Sequence, residues 1–271
     1  MNWFGKLIGG AFGFLMGGRL GALLGAALGH RLDKEGHEDE PMGASARQKA
    51  QAAFFTATFS IMGHIAKADG RVTEAEIELA RTVMNRLDLT DDLRKTAIRL
   101  FTEGKRGDFP FLDALNQFHR DCHRSFSLLR MFIEIQLEAA LVDGPLHAAE
   151  ERLLMQICDH LKFSRFEFHA VKTALEAQLR MSGRWEKWRD SKQKSQPVRA
   201  QPSVGDAYAA LGLKASATDE EVKRTYRKLM SQHHPDKLVA SGLPEQMVKL
   251  ANEKTQQIRK AYDLIRKTRN L

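Results

Sequence analysis

From Phe54 to Leu179 apolar residues return every three or four positions, and no run of alternating apolar and polar residues competes with them. One stripe holds Phe54, Thr58, Ile61 and Ile65, and another holds Ile77, Ala80, Met84 and Leu87. Others follow at Leu93, Ala97 and Leu100, at Phe111, Leu115 and Phe118, and at Phe126, Leu129, Ile133 and Leu137. The last two are Leu153, Ile157 and Leu161, then Phe168, Val171, Leu175 and Leu179. Chains patterned in this way bury their apolar faces only by stacking helix on helix. The expectation for residues 47–181 is therefore an all-α domain of about seven helices with its own core.

The N-terminus obeys a different rule. Gly5, Gly9, Gly13, Gly17, Gly21, Gly25 and Gly29 stand four residues apart, embedded in Leu, Ile, Phe, Ala and Met. Glycine costs about 1 kcal/mol against alanine in an aqueous helix, so water does not reward this pattern. Leu7 to Leu28 carries a single charge, Arg19. At about 1.5 Å per residue this stretch covers the roughly 30 Å hydrocarbon core of a bilayer. It is too long for the apolar region of a signal peptide and is not followed by a clear small-residue cleavage site. Residues 1–30 are expected to form a retained single-pass anchor. In lipid, close backbone approach replaces the missing hydrophobic drive for association, so the face formed by Gly9, Gly13, Gly17, Gly21 and Gly25 predicts a dimer. Arg19 points away from that face, at a cost of about 2.5–3.5 kcal/mol unless it snorkels. Lys6 before the span against Arg31 and Lys34 after it narrowly favours a cytoplasmic C-terminal side.

Charge places a further boundary. Of the net +8, residues 1–46 contribute −1, residues 47–180 nothing, residues 181–204 +4 and residues 205–271 +5. Residues 31–46, charged and then rich in small residues, read as one linker, and residues 182–204, basic and interrupted by Pro197 and Pro202, as a second, flexible one. Trp185 and Trp188 in it suit packing on the preceding helix better than a membrane interface. Two cysteines, Cys122 and Cys158, make no disulfide framework. A basic C-terminal third raises nucleic-acid binding, but no helix presents Asn, Gln or Arg in an arrangement that reads base edges, so no specific nucleic acid is expected. Nucleophile-elbow, phosphate-loop and His-Glu-x-x-His patterns are missing from the sequence, which gives no argument for an enzyme or a cofactor.

Inside the helical region a pattern recurs: "AKADGRVTEAEIELA" from Ala66 aligns with "ALVDGPLHAAEERLL" from Ala140. Asp69 falls over Asp143, Gly70 over Gly144 and Glu76 over Glu150. The pattern resembles the TerB-like domain of tellurite-resistance proteins, and it raises a divalent cation held among Asp69, Glu76, Asp143 and Glu150, since hard cations want clustered carboxylates. Helix capping is the stronger reading. Thr73 with Glu76 forms a capping box, and Ser164 with Glu167 and Thr218 with Glu221 repeat it. His119, Cys122 and His123 share a helix turn, yet no second Cys/His pair completes a zinc site.

The C-terminal stretch "DAYAALGLKASATDEEVKRTYRKLMSQHHPDK" reads as a short helix around Tyr208 and Leu211, then a longer one from Thr218 with Val222, Tyr226 and Leu229 on one side. That helix must end ahead of Pro235, because a residue before proline avoids the α region. His234, Pro235 and Asp236 are thus expected in an exposed loop. Met247, Leu250, Ile258, Ala261, Tyr262 and Ile265 then give a second long helix antiparallel to the first. With "DAYAALGL", "VKRTYRKL", the His-Pro-Asp tripeptide and "IRKAYDLI" in order, residues 205–271 resemble a J domain. Together with the glycine-rich anchor and the TerB-like region, the chain resembles the bacterial membrane-anchored DnaJ-like co-chaperones over nearly its full length. The resemblance implies docking on an ATP-bound DnaK-type chaperone at the inner membrane, stimulation of its ATP hydrolysis, and service in envelope stress response or signalling. It also implies that His234, Pro235 and Asp236, with the positive face of Lys223, Arg224, Arg227 and Lys228, carry the docking. A metal-responsive stress sensor built on the TerB-like region is the alternative.

Overall fold

The computed structural model describes residues 42–67, 84, 89–141, 146–182 and 203–270. The anchor of residues 1–30 and its glycine ladder lie outside these residues, as do Asp69, Glu76, Asp143 and both linker tryptophans. Among the described residues every regular element is helical, and no helix is long and apolar enough to cross a membrane.

Among the described residues the central region has six helices: α1 Met42–Ala66, α2 Asp91–Gly104, α3 Phe111–Cys122, α4 Phe126–Ala140, α5 Ala148–His160 and α6 Arg165–Met181. The middle of the stack is α4, with Leu128, Leu129, Met131, Phe132, Ile133, Ile135, Leu137 and Ala139 all buried. A helix apolar around most of its girth is stable only with neighbours on every side. Ser125 opens it, its hydroxyl accepting from the Leu128 amide at 3.3 Å. Phe54, Phe118 and Phe132 meet at ring-centroid distances of 4.3 to 6.3 Å and tie α1, α3 and α4 together. Where α1 crosses α2, Gly63 faces the Phe101 backbone and Gly104 faces the Ser60 backbone. A Cβ on either glycine would collide with main chain. The capping boxes at Ser164 with Glu167 and Thr218 with Glu221 are formed as the sequence predicts.

The C-terminal unit comprises α7 Val204–Ala210, α8 Asp219–Gln232, α9 Pro235–Ser241, a 3-10 turn Glu245–Met247 and α10 Val248–Arg269. The long helices α8 and α10 run antiparallel. Tyr226 stacks on Tyr262 at 4.1 Å, and Arg269 at the end of α10 reaches Asp219 at the start of α8 at 2.7 Å. Val222, Leu229, Ile258, Ala261 and Ile265 fill the space between them with Tyr208 and Leu211.

One expectation is corrected. Pro235 and Asp236 do not stand in a loop: they form the first turn of α9, because the ring that ends α8 has its φ already set for the start of another helix. The C-terminal unit packs on the helical domain. Leu238, Leu243, Met247, Leu250 and Ala251 are part of the same buried cluster as Phe54, Phe132 and Leu137.

Candidate functional site

Between α8 and α9 the chain turns through His233 and His234. His234 is the N-cap of α9: its Nδ1 accepts from the Asp236 amide at 3.3 Å. With Nδ1 accepting, the neutral ring carries its proton on Nε2. Asp236 sits at the positive end of α9 with its side chain 92% exposed, 4.0 Å from His234 Nδ1. Lys237 folds back and donates to Ser231 Oγ at 2.5 Å, bracing the corner across its two arms. The result is a fixed corner that offers an outward carboxylate and an outward imidazole. Lys223, Arg224, Arg227 and Lys228 are all exposed on α8, on the side away from buried Val222 and Leu229.

The residue just before the tripeptide behaves in the opposite way. His233 is 3% exposed, and its Nε2 meets both carboxylate oxygens of Glu134 at 3.0 and 3.1 Å. Its Nδ1 meets the Leu229 carbonyl at 2.9 Å. Glu134 lies on α4, and Arg130 joins it at 2.9 Å. Lys254 of α10, itself buried, reaches Glu134 at 3.9 Å and Glu138 at 3.5 Å. Burial on its own would raise the Glu134 carboxyl, but the charges of His233, Arg130 and Lys254 hold it well below the usual carboxylate range. Past the corner the chain is fastened again. The Gly242 backbone, at φ 112°, lies against Ala50, and Gln51 Nε2 donates to the Leu243 carbonyl at 3.5 Å. At the far end of the interface Arg180 pairs with Asp206 at 2.7 Å. The contacts that join the two parts are not visible in the local sequence, because Glu134 and His233 are 99 positions apart. The only local hint is a run of charges, Arg130, Glu134 and Glu138, on an otherwise apolar helix.

The other candidates come apart. Of the four carboxylates suggested for a cation, only Glu150 is described. It accepts from the His147 amide at 2.9 Å, as a helix-start acceptor does. No group of three ligating side chains is found among the described residues. The His119 and His123 rings lie 5.6 Å apart, while Cys122 is buried beside them and turned toward the Ala50 carbonyl at 3.7 Å. Burial pushes the Cys122 thiol far up and that of Cys158 to about 12, so neither is a ready thiolate.

Comparison with known proteins divides the chain in the same order. A family model described as the co-chaperone DjlA transmembrane domain matches residues 1–51, one described as tellurite resistance protein TerB matches residues 55–173, and the DnaJ domain matches residues 206–270. A protein named co-chaperone protein DjlA from Coxiella burnetii is 43% identical over 277 residues, covering 100% of both chains. Proteins of the same name from Vibrio cholerae and Salmonella typhimurium are 41% identical over 283 residues, with all of both chains covered, and 40% identical over 267 residues, with 98% of each covered. No solved structure matches. With these relatives aligned from end to end and the His-Pro-Asp corner exposed on a J-domain helix pair, the chain belongs to the DjlA family of co-chaperones.

Proposed function

We propose that this protein recruits a DnaK-type chaperone in its ATP-bound form to the inner membrane and stimulates its ATP hydrolysis. The observation that carries the reading is the corner itself, which fixes the His234, Pro235 and Asp236 backbone while leaving the Asp236 carboxylate exposed. A partner cation, an arginine above all, would donate a charge-assisted hydrogen bond to that carboxylate. His234 would orient the turn, and Pro235 fixes its bend. The exposed cations of α8 would speed encounter with an acidic partner surface and do less to lock the complex. Nothing in this role requires the protein to break a bond itself, so the chemistry belongs to the partner.

Residues 1–30 would serve as the single-pass anchor with the bulk of the chain on the cytoplasmic side, the linkers running over residues 31–46 and 182–204 on either side of a TerB-like domain at residues 47–181. The match of the transmembrane family model to residues 1–51 supports the anchor. The four-residue glycine spacing supports self-association within it. A steady-state ATPase assay of the matched chaperone, with and without the full chain in lipid nanodiscs, tests the central claim. Stimulation by the parent chain is expected, and its absence would remove the co-chaperone reading.

A further inference from the structure

We propose that Glu134 is a positioning residue for the co-chaperone reaction: through His233 it locks the His-Pro-Asp corner to the helical domain, so that the chaperone meets a single docked unit. The inference rests on the reading above and adds to it a residue from outside the J domain.

The geometry of His233 sets the argument. A backbone carbonyl can only accept, so the contact with Leu229 requires a proton on Nδ1. An ionised carboxylate also only accepts, so the two contacts with Glu134 require a proton on Nε2. Both ring nitrogens thus face acceptors, one on its own helix and one on α4. Of the charged groups around it, α4 supplies Arg130, Glu134 and Glu138 and α10 supplies Lys254, while α6 adds the amide of Gln178 beside apolar Val171, Ala174 and Leu175 to the small cavity between them. Two buried carboxylates, Glu134 and Glu138, thus lie among His233, Lys254 and, nearer the surface, Arg130. Breaking such a set by removing one member leaves a charge without its counterpart at depth, and that is far costlier than losing a surface pair.

The placement of the lock explains what it positions. His233 is adjacent to His234, whose own ring caps α9. On the other side of the tripeptide, Leu238 is buried in the common core and Gly242 lies against Ala50. The exposed tripeptide is therefore held at both ends by the helical domain. With both fastenings in place the docking side chains still point outward, so the docked arrangement is one a partner can engage.

The test uses the full chain in nanodiscs with nitroxide labels on Thr173→Cys of α6 and Gln256→Cys of α10, both exposed sites. The two native cysteines are buried and do not compete for label. The parent should give one narrow interdomain distance. Glu134→Gln should broaden it and raise the concentration for half-maximal ATPase stimulation at least about 3-fold, and Glu134→Gln combined with His233→Gln should be no worse than the more damaging single change. The maximal stimulated ATPase rate of Glu134→Gln should stay at the parent value, because the His-Pro-Asp side chains are intact and only their placement is loosened. A general loss of packing would instead lower the maximal rate together with the apparent affinity. Asp236→Asn should lose stimulation yet keep the narrow distance. If Glu134→Gln and His233→Gln retain the parent distance and stimulation, the positioning role is overturned. Should Glu134→Gln fail to fold, the interdomain distance and stimulation of His233→Gln decide the matter alone. If the parent does not stimulate the chaperone, the functional reading fails while the distance measurements still judge the lock.

Discussion

Neighbouring histidines at positions 233 and 234 have opposite fates, and the difference lies in what surrounds each. His233 is buried against a carboxylate, whereas His234 is half exposed and bonded only to its own turn. Changes at the exposed positions should therefore leave folding alone. Asp236→Asn is expected to keep the parent melting temperature and His234→Gln to lower it only slightly, through the lost cap on α9, because neither side chain touches the apolar core. Both should abolish ATPase stimulation. Truncating one partner of a close interfacial charge pair costs about 2–5 kcal/mol, roughly 30-fold or more in affinity. Normal stimulation by both variants would remove the corner from the docking surface. In the sequence, the end of α8 is legible because a proline follows it, and the His-Pro-Asp tripeptide stands out through its resemblance to a J domain. The role of His233 is not legible, because its partner is supplied by a helix encoded 99 positions earlier.

At the level of elements, α9 is short and depends on its ends. It starts on Pro235 and stops on Gly242, whose φ of 112° is one that side chains with a Cβ rarely adopt. A Cβ there would also stand 2.5 Å from the Ala50 Cβ on α1. Gly242→Ala is thus expected to destabilise the protein by about 1–3 kcal/mol in chemical denaturation, from backbone strain together with the lost seat on α1. A shift within error of the parent would refute that account. The sequence shows where the other helices begin more readily than it shows what covers them. Ser164 with Glu167 and Thr218 with Glu221 signal helix starts by local chemistry and are found in place. The stripe of Phe126, Leu129, Ile133 and Leu137 suggests a one-sided helix, but α4 is also covered on its charged side, by α10 and the corner. Proline marks the end of α8, yet the same ring starts α9, and the rule for helix ends says nothing of restarts.

For the whole molecule, the interface between the helical domain and the J domain carries charges, and this sets its response to acid. Glu134 and Asp206 both face this interface. Burial would raise the Asp206 carboxyl, but hydrogen bonds from Ser203 and Arg180 keep it below its usual value. For Glu134, His233 and the neighbouring cations do the same against burial. A carboxyl lowered in the folded state stabilises above its unfolded value, and that contribution is lost as pH falls through the folded value. The docked arrangement should consequently persist through the ordinary carboxylate range near pH 4 and come apart only in stronger acid. Hydrogen exchange at α9 during acid titration would show this, and release already at about pH 5 would contradict it. In the bilayer, replacing Gly13, Gly17 and Gly21 with Leu should weaken self-association in a membrane reporter assay, and an undiminished signal would rule the ladder out as the contact. One more property follows from α1. It runs 25 residues, about 37 Å at helical rise, and the same helix that seats Gly242 begins inside the stretch matching the transmembrane family model. A floppy tether would spread its cargo over a broad volume. Here the corner is seated on the rod itself, so it keeps one attitude to α1, and whatever the corner recruits moves with that helix and not about it.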